Sequence, residues 1–332
     1  MSRLAIIGAG SWGTALSVVL APRFPEIRLW VFEPDLAARM RQTRENDVYL
    51  PGFRIPGNVA VVTGFAEALD GAGIVLGVTP SHVTRAIFER MLPHLEPSML
   101  FVSATKGLET GTLVRMSEVI RTVTAQRFEA RIAALSGPTF AREVAAGEPT
   151  AVVVSSSDAG LNELVQRAFS GPAFRLYTNG DPIGVELGAA LKNVIAIGAG
   201  VSNGLGLGSN AIAALITRGL AEISRLAVAL GGDPRTLAGL AGLGDLVLTC
   251  TGALSRNRQV GIELGRGRQL EEIVGSMRMV AEGVHTTYAA VDLAHGCGIE
   301  MPITEQVNAI LRGWRSPREA IRELMERTLK KE

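Results

Sequence analysis

The sequence predicts an α/β unit built on a doubly wound parallel sheet, followed by an all-helical unit. Three observations predict it. Short apolar runs alternate with helical patterns through the first half of the chain. Several of those runs are continuous rather than alternating, as strands buried on both faces are. The alternation ends at Asn179-Gly180-Asp181-Pro182, and only helical patterns follow. The expected division is therefore residues 1–180 and 181–332 of a chain long enough for two cores.

Strands are expected at 3–7, 27–32, 59–62, 74–78, 99–103, 132–135, 151–154 and 174–177. Helices between them are expected at 11–20, 35–45, 81–92, 112–122 and 158–169. In the second half the helical stretches are 182–200, 211–230, 236–240, 259–264, 270–274, 286–295, 303–311 and 317–329. Asp233-Pro234 and Ser316-Pro317 read as capping residues followed by a first-turn proline.

Charge is balanced, with 33 basic and 32 acidic side chains. Bulk attraction to nucleic acid or an acidic membrane surface is not expected, so an anionic ligand needs a local site. Cys250 and Cys297 have no C-x-x-C partner, and the four histidines lack ligand spacing. A disulfide framework and a metal site are not expected, and a reducing cytoplasm fits. The uncharged stretch from Asn193 to Thr217 holds five glycines and several polar residues. It reads as a close-packed buried helix and loop rather than a membrane span. The uncharged run from Leu4 to Ala21 has a signal-peptide reading, opposed by its glycines and the strand pattern that follows.

The first thirty-three residues carry the strongest signal. The apolar run Leu4-Ala5-Ile6-Ile7 enters Gly8-Ala9-Gly10-Ser11-Trp12-Gly13, then a helical pattern, then a second strand ending in Phe32-Glu33. A lone G-x-G-x-x-G is weak; here strand, turn, helix, strand and acid come in the order a Rossmann-like dinucleotide fold requires. Gly8 suits the tight turn, Gly10 lets backbone approach a pyrophosphate, and Gly13 lets the helix pack close to the strand. The helix N-terminus offers N–H groups to phosphates. Glu33, twenty residues past Gly13, is placed to accept from a ribose hydroxyl.

Ligands of such sheets bind beyond the carboxyl ends of the strands. Thr79-Pro80-Ser81-His82, Ala104-Thr105-Lys106-Gly107 and Ser136-Gly137-Pro138-Thr139 follow successive strands. Lys106 reads equally as an anion ligand or a solvated loop charge. In the second half Lys192 is a lone cation in an apolar, small-residue helix. Snorkelling to solvent competes with a proton-donor role there. Asp245, alone in an apolar glycine-rich segment, is its candidate partner, with an N-cap role the competing reading. Ser255-Arg256-Asn257 before a helix combines charge, amide and helix dipole for a phosphate, or is a solvated basic turn. Glu282 is a loop acid that can contact ribose or nicotinamide.

These segments together resemble the bacterial-type NAD(P)-dependent glycerol-3-phosphate dehydrogenase family. The stretches that carry the resemblance are GAGSWGTA from Gly8, TPSH from Thr79, ATKGLE from Ala104, SGPTFARE from Ser136, ELGAALKNVIAI from Glu186, AALITRGLAE from Ala213, GLGDLVLTCT from Gly242 and SRNR from Ser255. The resemblance implies interconversion of dihydroxyacetone phosphate and sn-glycerol 3-phosphate, the precursor of phospholipid backbones. A cytoplasmic protein without membrane insertion is expected from the missing membrane segment and signal, and the helical unit is a candidate for homodimer assembly. The resemblance implies Lys192 as proton donor and acceptor, with Asp245 and Lys106 beside it in catalysis. Substrate contacts fall on Lys106, Gly137, Thr139, Asn193, Asp245, Thr249, Ser255, Arg256 and Asn257. Cofactor contacts fall on Ser11, Trp12, Lys106, Ala141, Arg256, Val280 and Glu282, beside Gly8, Gly10, Gly13, Phe32 and Glu33 of the dinucleotide pattern above. No metal is implied. Many bacterial members carry an arginine near the end of the second strand where this chain has Glu33, which favours NAD; Arg39 and Arg41 leave NADP open. The rival readings are a ketopantoate or 3-hydroxyacyl reductase of the same plan and a non-catalytic dinucleotide sensor.

Overall fold

The structure, a computed structural model, describes residues 3–277 and 281–329. The chain forms two compact units. The first takes in the chain through Lys106 together with Val114–Glu186; the second takes in Gly107–Leu113 and the chain from Leu187 onward. The short segment Gly107–Leu113 departs from a single division at residue 180.

The strands of the first unit are β1 (Arg3–Ile7), β2 (Ile27–Trp30), β3 (Glu45–Asn46), β4 (Leu50–Arg54), β5 (Val59–Val62), β6 (Ala72–Gly77), β7 (Leu100–Ser103), β8 (Arg131–Ser136), β9 (Thr150–Ser155) and β10 (Phe174–Asn179). Eight form one sheet in the order β10-β9-β8-β7-β6-β1-β2-β5, and β3 pairs with β4 as a separate antiparallel hairpin. The helices are α1 (Ser11–Leu20), α2 (Pro34–Thr43), α3 (Phe65–Leu69), α4 (Thr84–Met91), α5 (Met116–Thr124), α6 (Ala141–Ala145) and α7 (Ala159–Phe169).

Side-chain alternation along β1 shows why the apolar runs are continuous. Leu4 and Ile6 join one core with residues of α1, α2 and α7, while Ala5 and Ile7 join another with residues of α3, α4 and α5. All four are fully buried, so each face of the strand is covered by helix. β1 pairs in parallel with β2 on one side and β6 on the other. The strand order reverses between β1 and β6, and the crevice at that point is where such sheets take ligands.

Two expectations need correction. The sheet is not wholly parallel: β8 and β9 run antiparallel, whereas β9 and β10 are parallel. Between β8 and β9 lies only the five-residue α6, too little for a parallel crossover; the eleven-residue α7 returns the chain for β10. The helix expected from residue 112 starts at Met116, because Gly111 and Leu113 both have positive φ, 93° and 61°. The hairpin β3–β4 and the short helices α3 and α6 were not expected, being below the length at which periodicity is legible.

The second unit is helical. Its helices are α8 (Pro182–Gly204), which belongs to this unit from Leu187, α9 (Ser209–Ala229), α10 (Pro234–Leu237), α11 (Asp245–Thr251), α12 (Arg256–Gly265), α13 (Leu270–Ser276), α14 (Glu282–Gly296), α15 (Pro302–Leu311) and α16 (Pro317–Met325). A single π-helical turn, Leu240–Gly244, leads into α11. Among the described residues α8 alone is long and apolar enough to cross a membrane, and 89% of its most apolar window is buried in the protein.

The glycines of α8 explain its packing. An added Cβ on Gly200 would lie 2.0 Å from the Arg258 carbonyl oxygen, and one on Gly261 would lie 2.0 Å from that of Ile197. Gly204 and Gly265 meet in the same way one turn further on, so α8 and α12 cross backbone against backbone. Elsewhere in the unit Glu222 of α9 satisfies the start of α15. It accepts from the backbone N–H of Ile303 at 2.7 Å and Thr304 at 3.2 Å, and from the Thr304 hydroxyl at 3.2 Å. Burial nevertheless pushes its carboxyl up to about 7, against those hydrogen bonds and the Arg225 charge.

Two stability predictions follow from these contacts. Gly200→Ala should destabilise the chain by about 1–3 kcal/mol or more, since backbone rather than a mobile side chain must give way; an unchanged melting temperature would refute the close crossing. Glu222 has a folded-state pKa above its ordinary 4.5, so its contribution is present below that value and lost as pH rises through about 7. The loss is on the order of 3 kcal/mol. Melting temperatures across this window should fall in the native chain and lose that slope in Glu222→Gln; equal slopes would show the proton is held elsewhere.

Candidate active site

The glycine turn after β1 is built for close approach. Gly8 has φ +116°, and a Cβ there would sit 2.6 Å from the Val78 carbonyl oxygen at the end of β6. A Cβ on Gly13 would strike the Gly8 carbonyl at 1.8 Å, so α1 packs directly on the turn. A Cβ on Gly10, the N-cap of α1, would meet nothing within 4 Å. Open space therefore stands before a helix N-terminus whose first turn carries no acid. Trp12, in that first turn, has a buried indole N–H with no hydrogen-bond partner. A cradle at an exposed dipole end with an orphaned donor fits a dinucleotide pyrophosphate.

At the end of β2, Phe32 is exposed and Glu33 is the N-cap of α2. The Tyr49 hydroxyl, on the hairpin between β3 and β4, donates to Glu33 Oε1 at 2.7 Å. Arg39 is paired with Asp47 at 3.2 Å, and Arg41 donates to the Val61 carbonyl at 2.8 Å. The two arginines that left NADP open are thus each engaged elsewhere.

Lys106 lies three residues past β7 and Gly137 directly past β8. The Lys106 ammonium donates to the Gly137 carbonyl at 3.0 Å and to the Thr139 hydroxyl at 3.2 Å. Gly137 has φ +144°, and a Cβ would press on Val152 Cα at 2.9 Å, so the turn that presents this carbonyl needs glycine. Ala141 opens α6 immediately after. Three residues expected on the substrate side of the first unit are therefore in mutual contact.

In the second unit the buried lysine has its acid. Lys192 of α8 donates to Asp245 Oδ1 at 2.5 Å and to the Thr249 hydroxyl at 2.8 Å. The Thr249 hydroxyl in turn donates to the Asp245 backbone carbonyl one turn back in α11. Asp245 is fully buried and Lys192 is 5% exposed, so the ammonium does not snorkel into bulk water. Asp245 is the first residue of α11 and not its N-cap, which is Gly244. Next to it burial pushes the Cys250 thiol up to about 12, leaving it inert as a nucleophile.

Asn193 and Asn257 are buried in the same unit, and Asn257 Oδ1 accepts from the Gly283 N–H at 2.9 Å, directly after Glu282 at the start of α14. Ser255 caps α12, its hydroxyl accepting from the Arg258 N–H at 3.2 Å. The Arg256 side chain keeps solvent access, while the surrounding protein draws its pKa below the ordinary arginine value and Glu282 acts in the opposite sense. It remains a cation at neutral pH. Val280, expected at the cofactor, lies outside the described residues. Sequence reasoning missed Tyr49 and Trp12's orphaned N–H; neither has a spacing signal, because each depends on what tertiary structure sets beside it.

Two family models match this chain. The N-terminal model of NAD-dependent glycerol-3-phosphate dehydrogenase covers residues 3–162, and the C-terminal model covers residues 181–322. Glycerol-3-phosphate dehydrogenase [NAD(P)+] of Koribacter versatilis is 59% identical, over 98% of each chain. The enzyme of that name from Citrifermentans bemidjiense is 53% identical over 99% of this chain and 98% of its own. The crystal structure of glycerol-3-phosphate dehydrogenase from Coxiella burnetii matches with a TM-score of 0.94 at 42% identity, covering 98% of this chain and 99% of that one. A ketopantoate reductase from Ralstonia eutropha matches at a TM-score of 0.60 and 18% identity, a likeness of fold alone. With matching models over both halves and relatives similar from end to end, the chain belongs to the NAD-dependent glycerol-3-phosphate dehydrogenase family.

Proposed function

We propose that this chain interconverts dihydroxyacetone phosphate and sn-glycerol 3-phosphate with NAD(P)H, supplying glycerol 3-phosphate for phospholipid synthesis. The observation that carries the catalytic assignment is the buried Lys192–Asp245–Thr249 constellation. Bound NAD(P)H supplies the hydride that C2 of the ketone accepts. Lys192 Nζ holds the proton that the developing alkoxide needs, and takes it back in the reverse direction. Asp245 keeps that ammonium charged and aimed; Thr249 fixes the angle between them. Lys106, held by Gly137 and Thr139, adds positive charge for the oxyanion and contacts substrate.

The substrate phosphate does not react, and its binding energy serves orientation. Arg256 supplies charge for it, and the Ser255-capped start of α12 supplies N–H groups. Asn193 and Asn257 complete this set. Gly8, Gly10, Ser11, Trp12 and Gly13 hold the cofactor phosphates, Phe32 and Glu33 the adenosine end, and Lys106, Ala141, Arg256 and Glu282 the remainder. The one carboxylate at the ribose favours NAD over NADP by about one to a few kcal/mol in a partly solvated site. The chain acts as a cytoplasmic homodimer without membrane insertion. The burial of α8 supports the last point, and two unpaired cysteines fit a reducing compartment.

The test is loss of reduced-nicotinamide absorbance on mixing the protein with dihydroxyacetone phosphate and NADH or NADPH. Rapid oxidation that requires the substrate is expected; none, from folded protein that still binds a cofactor, would remove the substrate assignment in favour of a sensor. Lys192→Ala should lower kcat about 10²- to 10⁴-fold while leaving the NADH Kd unchanged. It should also lose about 3–5 kcal/mol of stability, because Asp245 is left buried without its cation. Near-normal kcat in that variant would strip Lys192 of its role.

A further inference from the structure

The hairpin β3–β4 contributes two side chains that no part of the mechanism above uses, and both reach the cofactor end of the first unit. Asn46 is fully buried. Its amide donates to the Ala9 carbonyl inside the glycine turn at 2.8 Å and to the Thr14 hydroxyl of α1 at 2.9 Å. Its Oδ1 accepts from the Tyr49 backbone N–H at 3.0 Å, and the Tyr49 hydroxyl donates to Glu33 at 2.7 Å. A continuous chain of hydrogen bonds thus runs from the phosphate turn through the hairpin to the ribose acid.

We propose that Tyr49 is a specificity-determining positioning residue: its phenol fixes the Glu33 carboxylate as an acceptor for a free ribose 2′-hydroxyl and as a charge against a 2′-phosphate. The proposal rests on the reading of Glu33 given above and extends it to the residue that holds the acid in place. An unrestrained glutamate carboxylate turns into solvent when an anion arrives, and most of its discrimination goes with it. The Tyr49 contact removes that escape. The donor stays protonated throughout the working range, since the Glu33 hydrogen bond and burial push the phenol up to about 12.

The neighbouring cations are held by other partners than the acid. Arg39 pairs with Asp47, on the same hairpin. Arg41 donates to the Val61 carbonyl, and Arg44 to the carbonyls of Ile55 and Val59. Each of these three arginines, two within α2 and one at its C-terminal end, therefore has a partner of its own. The hairpin takes part in this arrangement twice, through Tyr49 on the acid and Asp47 on Arg39.

The experiment measures Kd for NADH and NADPH separately, by calorimetry or nicotinamide fluorescence, in the native chain, Tyr49→Phe, Glu33→Gln and the double variant. Native protein should bind NADH more tightly. Tyr49→Phe should cut the NADPH-to-NADH Kd ratio by about tenfold, the loss of one hydrogen bond to a charged group, with a melting temperature close to native. In the Glu33→Gln background the same change should leave the ratio as it was, because Tyr49 acts through the acid. Asn46→Ala should weaken both cofactors by one factor, since it supports the turn they share. A native preference for NADH that persists undiminished in Tyr49→Phe would overturn the proposal and leave Glu33 its role. A native chain with no preference, or one for NADPH, would overturn both.

Discussion

A charged carboxylate with no access to water needs a cation or strong donors set against it, and around Asp245 the second unit provides both. Asp245 is completely buried, and burial of such a group is costly unless a positive charge and hydrogen bonds are set against it. Lys192 meets this need from α8 and Thr249 from one turn along α11. The pair is an expensive element by the standards of a core, since well-packed apolar residues of the same volume would fold as well or better. Under the proposed function that cost has a return, since an ammonium held at one angle, in little water, needs no reorganisation to donate a proton.

Bringing that lysine to that acid places demands on its surroundings. α8 has to be apolar to occupy the core and thin to pack closely, and glycines at 200 and 204 provide the second property where α12 crosses it. The crossing also fixes the start of α12, where Ser255, Arg256 and Asn257 stand. Asn257 then bonds the backbone beside Glu282 and so ties α14 to the same site. A run of small residues and a handful of buried polar ones thus form one system, in which close backbone packing sets the geometry and hydrogen bonds set the directions.

The first unit applies a different constraint, the meeting of backbone with backbone at the end of β1. Gly8 and Gly13 are required by contacts of the protein with itself, whereas Gly10 borders open space. The turn is therefore shaped by α1 and by β6 before any ligand arrives, which is what pre-organisation means at a phosphate site. The hairpin after α2 extends the same order to Glu33.

The two-part plan, the eight sheet strands and nearly all the long helices were legible from sequence, because burial on two faces and the helical period leave marks that no distant contact is needed to read. Lys192, Asp245 and Lys106 were visible as isolated charges in apolar or glycine-rich surroundings, a pattern whose cost betrays it. The antiparallel β8–β9 pair was not visible, since strand direction depends on how much chain the connection offers rather than on the strand itself. Nor were the Tyr49–Glu33 contact or the partners of Arg39 and Arg41, whose side chains look like ordinary surface residues in a linear reading. Residue identity alone shows which side chains are too costly to place without a purpose; which of them meet is settled only by folding, because a hydrogen bond is a matter of a few tenths of an ångström between atoms that the chain carries far apart.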